Sequence, residues 1–123
     1  MDVLDVADRI HPYSADDWAF WLRSVGERTD GVWLVLWRRG SGRRVICHDD
    51  ALLEAVAVGW TDGEMRRVDD DRSMVWFAPR CPDDVWTSID QERVDRLERA
   101  GRMTPAGRRV VELAKISGGW TGV

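Results

Sequence analysis

The chain has 123 residues, 44% of them hydrophobic and 33% charged, which supports one domain around a single core and excludes a second independent core. A formal net charge of −4 lacks the basic excess that drives sequence-independent nucleic-acid binding, so nucleic acid is not an expected partner. No stretch approaches the roughly 20 apolar residues that a membrane span needs.

Eight tryptophans against two phenylalanines and one tyrosine make indole rings the main source of buried apolar area. The acidic start MDVLDVADRIHPYS contains no apolar run of signal-peptide length, and the only cysteines are Cys47 and Cys81. The expected compartment is therefore the cytoplasm, with both thiols reduced. Residues 1–13 read as an N-terminal extension and 14–123 as the domain.

Ser14 followed by Asp17 resembles a capping box, and Ala15, Trp18, Trp21, Leu22 and Val25 follow at helical spacing before Gly26. Trp18 and Trp21 on that face suit packing against a sheet better than ligand stacking. After Gly31, the run Val32 to Trp37 predicts a central strand covered on both faces. Gly40-Ser41-Gly42 turns the chain, and Arg43 to Ile46 reads as a short returning strand. Leu52, Leu53, Val56 and Ala57 mark a second helix that Gly59 ends. Cys47 beside His48 suggests a thiolate or a metal site, yet adjacent side chains seldom converge on one atom and no second Cys-His pair exists. Cys47 is expected to be a buried helix-start residue.

Thr61-Asp62-Gly63 signals a turn, Glu64 to Val68 and Ser73 to Ala78 read as strands, and Asp69-Asp70-Asp71-Arg72 forms the hairpin loop between them. Both faces of the second strand are largely apolar, which places it inside the sheet. Asp69, Asp70 and Asp71 have the right oxygens for a hard cation but lack the spacing of an EF-hand loop, so a solvated tip is the plainer reading. Pro79 and Pro82 end the sheet. A helix capped by Ser88 or Asp90 follows, with Val94 and Leu97 inward, Glu92/Arg96 and Asp95/Arg99 as i,i+4 pairs, and a basic ridge of Arg93, Arg96, Arg99 and Arg102. Gly101 stops it. Thr104-Pro105 opens the last helix, with Val110, Leu113 and Ala114 inward, and Gly118-Gly119 ends it before Trp120.

These elements predict an α+β fold, a small antiparallel sheet of three to four strands packed with about four helices. Common catalytic signatures are absent from the chain, and neither His11 nor His48 sits in a recognisable motif. A ligand pocket is expected where Trp60, Asp62, Arg80 and Trp86 meet, because an apolar wall with a few placed polar groups suits a small ligand. Arg80 would hold an anion by its guanidinium fork. The bland alternative is that Asp62 and Arg80 bridge each other in a core corner.

Four blocks occur in order: GWTDG at 59–63, WFAPR at 76–80, WTSIDQERV at 86–94 and GRMTPAG at 101–107. Together they resemble the YdeI/OmpD-associated family of small bacterial proteins, also labelled bacteriocin-protection proteins, which tend to show GWID, RFTPR, a W-S-x-x-N-x-x-R-V-like run and GRMTPAG. Ala78 stands where that family has Thr, Asp90 where it has Asn, and Asp83-Asp84 where lysines are common. The resemblance implies an α+β fold, no known catalytic activity, and an association with tolerance to antimicrobial peptides or envelope stress; no cofactor is expected. The leading expectation is a non-enzymatic binding or stress-protection protein with a small anion or a protein as partner. A metal-binding protein using Asp69, Asp70 and Asp71, and an enzyme acting on a small anion at Asp62 and Arg80, are the alternatives.

Overall fold

In the computed structural model, which describes residues 2–121, Ser14 accepts a hydrogen bond from the Asp17 amide and opens α1 (Ala15–Val25). The chain then enters β2 (Val32–Trp37), preceded in sequence by a two-residue strand β1 (Arg9–Ile10). Helix α2 (His48–Ala57) leads through Gly59, at φ +84°, into β3 (Trp60–Arg67) and β4 (Arg72–Pro79). Helices α3 (Ser88–Arg99) and α4 (Pro105–Ser117) complete the order. No helix among the described residues is long and apolar enough to cross a membrane.

The fold is α+β, with four strands in the order β1-β2-β4-β3. The β2–β4 and β4–β3 pairs are antiparallel, as expected, but β1 joins β2 in parallel and makes the sheet mixed. Residues read as an extension thus supply an edge strand. One sheet face, with Val32, Leu34, Leu36, Val75 and Phe77, shares its core with residues from all four helices. Trp18 is fully buried there, its ring against Phe77 and its Nε1–H donating to the Ala51 carbonyl at 3.0 Å, so it packs as a core helix residue does. The other face, with Trp33, Val35 and Met74, is covered by Leu4 and Ala7 of the N-terminal segment. Trp33 Nε1–H donates to the Leu4 carbonyl at 2.7 Å.

Several local expectations give way to packing. Thr61-Asp62-Gly63 lies inside β3, because a bulge between Asp62 and Met65 absorbs the extra backbone. Gly63 suits that place, since a Cβ there would stand 3.3 Å from the Trp76 ring. Residues 43–46 form no strand, because both sides of β2 are taken by β1 and β4; Ile46 instead anchors the connection in the core. Cys47 is the N-cap of α2 but is exposed, not buried. Thr87, one residue before Ser88 and three before Asp90, accepts from the Asp90 amide and opens α3. On α4 the buried face is Gly107, Val111 and Ala114, and Leu113 points outward.

Candidate functional site

The alternation of β3 sends Trp60 and Asp62 to the helix-covered face of the sheet. Asp62 Oδ2 meets Nε2 of His48, in the first turn of α2, at 2.9 Å, and both side chains are about one-third exposed (39% and 31%). Arg80 turns elsewhere. Its guanidinium lies 3.9 Å from the Trp86 ring centroid, and Nη2–H donates to the Val85 carbonyl and to Asp90 Oδ2, each at 3.3 Å. Asp90 also accepts from Arg93 at 2.9 Å. The Asp62–Arg80 bridge therefore does not form, because each residue has a nearer partner from a helix N-terminal turn.

Arg80 and Trp86 make a closed corner. Only 5% of the Arg80 side chain is exposed, and its Nε and Nη1 are buried without hydrogen-bond partners among the described residues. The Trp86 amide donates to the Gly119 carbonyl at 2.8 Å, and its ring packs on Trp120 at 5.3 Å. Trp120 is thus docked on the domain, with Lys115 over its outer face.

Trp60 opens onto different space. It is nearly buried, with Trp21 edge-on at 6.0 Å, and it lines a cleft of about 280 Å³ with Leu22, Val58, Ala106, Arg23 and Arg109. The cleft lies where the end of α1 meets the start of α4. There Thr104 Oγ1 accepts from the Gly107 amide at 3.0 Å and donates to the Ala57 carbonyl at 2.9 Å, which pins the first turn of α4 to the end of α2. The positive end of the α4 dipole and two arginines give this apolar hollow a cationic rim.

A family model described as a domain of unknown function, DUF8412, matches residues 10–110. The chain belongs to the DUF8412 family. No curated protein and no solved structure matches it. Every residue of the Trp60 cleft, from Leu22 to Arg109, falls inside the DUF8412 span.

The other sequence candidates do not assemble in this DUF8412 domain. Asp69 is drawn to Arg72 and Asp70 to Arg67. Among the described residues no group of three or more His, Cys, Asp or Glu side chains is placed to hold a metal ion, so the aspartates do not converge. The expected basic ridge splits because a three-residue step drifts around a helix of 3.6 residues per turn. Arg93 faces Asp90 and Asp49, whereas Arg102, beyond the end of α3, pairs with buried Glu54 of α2. The Glu92/Arg96 and Asp95/Arg99 pairs are not closed. Reading the chain alone missed His48 as the partner of Asp62, Asp90 as the partner of Arg80, and Arg23 as a cleft residue. Only the position of Asp90 in the first turn of a helix hinted at its role.

Proposed function

We propose that this DUF8412 protein is a non-enzymatic binding protein that takes a small, partly apolar anion in the Trp60 cleft. The observation that carries the reading is the composition of the cleft wall: an indole edge and aliphatic side chains beside Arg23, Arg109 and the start of α4. Apolar walls with a few fixed charges suit a ligand that has a hydrophobic body and one anionic group. Among the described residues of that wall, the polar groups are Arg23, Arg109 and Thr104, which suit holding an anion. The resemblance to YdeI/OmpD-associated proteins supports a stress- or antimicrobial-peptide-protection role built on such binding.

A thermal-shift comparison of aromatic and short aliphatic carboxylates with their primary amides tests this. A carboxylate at 100 times its Kd adds about 2.7 kcal/mol, on the order of 10 °C for a domain of this size, and the matched amide adds far less. Arg23→Ala, on an exposed helix position, should shrink the difference, with Arg109 and the start of α4 holding the remainder. Equal shifts for acid and amide, or an acid–amide difference unchanged by Arg23→Ala, would overturn the reading.

A further inference from the structure

At the opposite end of the sheet from Trp60, a second hollow of about 470 Å³ is lined by His11, Tyr13, Trp37, Arg43 and Arg44. Trp37 ends β2, opposite Arg72 at the start of β4, while Trp60 sits opposite Pro79 at the far end of β4. Residues 38–44 read RRGSGRR, four arginines without an acid. Gly40 and Gly42, at φ +88° and +78°, fold this loop back so that Arg43 lies 5.2 Å from the Trp37 ring centroid. The His11 ring lies 4.9 Å from the same indole, and Arg72 lies over it at 5.7 Å. Burial, and then the Arg72 charge, hold the His11 imidazole below its usual range, so it favours the neutral form.

Three rings and two arginines therefore share one hollow, and among the described residues of its wall there is no carboxylate. The Tyr13 side chain is largely exposed, and Arg44 has no hydrogen-bond or ion-pair partner among the described residues. Rings offer a stacking surface worth about 1–3 kcal/mol per base, and a guanidinium fork matches a phosphate. The volume falls in the roughly 300–1,000 Å³ range of small-ligand sites. The surroundings limit how far an anion extends: the hairpin tip of Asp69, Asp70 and Asp71 abuts the end of β2, where Arg38 Nη1–H reaches the Asp70 carbonyl at 3.5 Å. A long polyanion would run into those carboxylates, whereas one phosphate beside Arg43 and Arg44 does not have to.

We infer that this hollow binds a phosphorylated aromatic small molecule, of which a purine mononucleotide is the simplest case, with the base against Trp37, His11 and Tyr13 and the phosphate on Arg43 and Arg44. The site is separate from the Trp60 cleft, and either reading can fail without the other.

The test is a titration of the full chain with AMP, adenosine, inorganic phosphate and hexaadenylate, followed by the tryptophan indole N–H signals in ¹H–¹⁵N spectra. Trp37→Phe assigns the Trp37 signal. AMP should shift that signal saturably and leave the Trp60 signal in place. Adenosine, which lacks the charge-assisted hydrogen bonds, and phosphate, which lacks the stacked base, should each bind at least about tenfold more weakly than AMP. The Arg43→Ala/Arg44→Ala double variant, altered only at exposed positions, should lose at least about tenfold in AMP affinity, and Arg99→Ala should lose none. No saturable shift, equal binding of adenosine, or unchanged affinity in the double variant would each overturn the site. Hexaadenylate binding more than about tenfold tighter than AMP would replace it with a single-strand surface.

Discussion

The Arg80 guanidinium stacks on Trp86 and ties Asp90 and the Val85 carbonyl to the end of β4. Removing one partner of a buried ion pair costs about 3–5 kcal/mol, because the remaining charge has lost its compensation. Arg93 still reaches Asp90, which places Arg80→Ala at the lower end, about 3 kcal/mol by urea denaturation. A loss under about 1 kcal/mol would mean that the corner does not depend on this charge. His11 makes a prediction of the other kind. Its folded-state pKa lies below the ordinary 6.5 because of burial and Arg72, so the unfolded chain binds more protons as pH falls. The stability this group contributes is present above about pH 6.5 and is lost as pH drops below it. The urea midpoint of His11→Gln should therefore fall less than that of the unsubstituted chain between pH 7.5 and 5.5, and parallel profiles would refute the assignment.

Helix α4 owes its position to two neighbouring residues. A Cβ on Gly107 would lie 2.2 Å from the Ala57 carbonyl oxygen, a backbone atom that cannot step aside. Gly107→Ala should lift α4 off α2 and cost more than about 3 kcal/mol, at the upper end of overpacking effects. Thr104→Ala, which removes the cap and the bond to Ala57, should cost about 1–2 kcal/mol. The order of the two losses in urea is the check: if Thr104→Ala proved the more damaging, the close approach would not be limiting. The start of this helix was legible in the chain because Thr-Pro has one local meaning, and so was the Ser14 cap of α1. The bulge at Gly63 was not, since Asp-Gly specifies a turn only when no neighbouring strand claims the backbone. Leu113 was read as buried from periodicity, but a helix on the rim of a small core buries a narrower stripe than its apolar residues could fill.

The molecule as a whole is a mixed sheet with unequal faces. Four helices cover one face, and the segment before Ser14 covers the other. That asymmetry explains why the candidate sites were only partly visible beforehand. Trp60 and Arg80 stand out in the chain, but whether they share a pocket depends on long-range choices of partner, His48 for Asp62 and Asp90 for Arg80, that no local pattern encodes. The same long-range logic makes residues 2–8 structural despite their loop-like composition. Leu4 satisfies the buried Trp33 indole N–H, Ala7 packs beside it, and Asp5 pairs with Arg66 at 2.8 Å while Arg66 lies over the Trp33 ring. A chain lacking residues 2–8 leaves that N–H without its partner and returns the Trp33–Trp76 face to water, a loss of about 2–4 kcal/mol from the orphaned donor and the re-exposed apolar area. Urea denaturation should show the drop, and a dye that binds exposed apolar surface should bind the truncated protein in its folded baseline but not the full chain. Trp33→Phe in the full chain removes the donor while keeping the strap, so it should show only the smaller part of the loss and no dye binding. Should the truncated protein keep the full-chain midpoint, the N-terminal segment would be a passenger and not the cover of the second face.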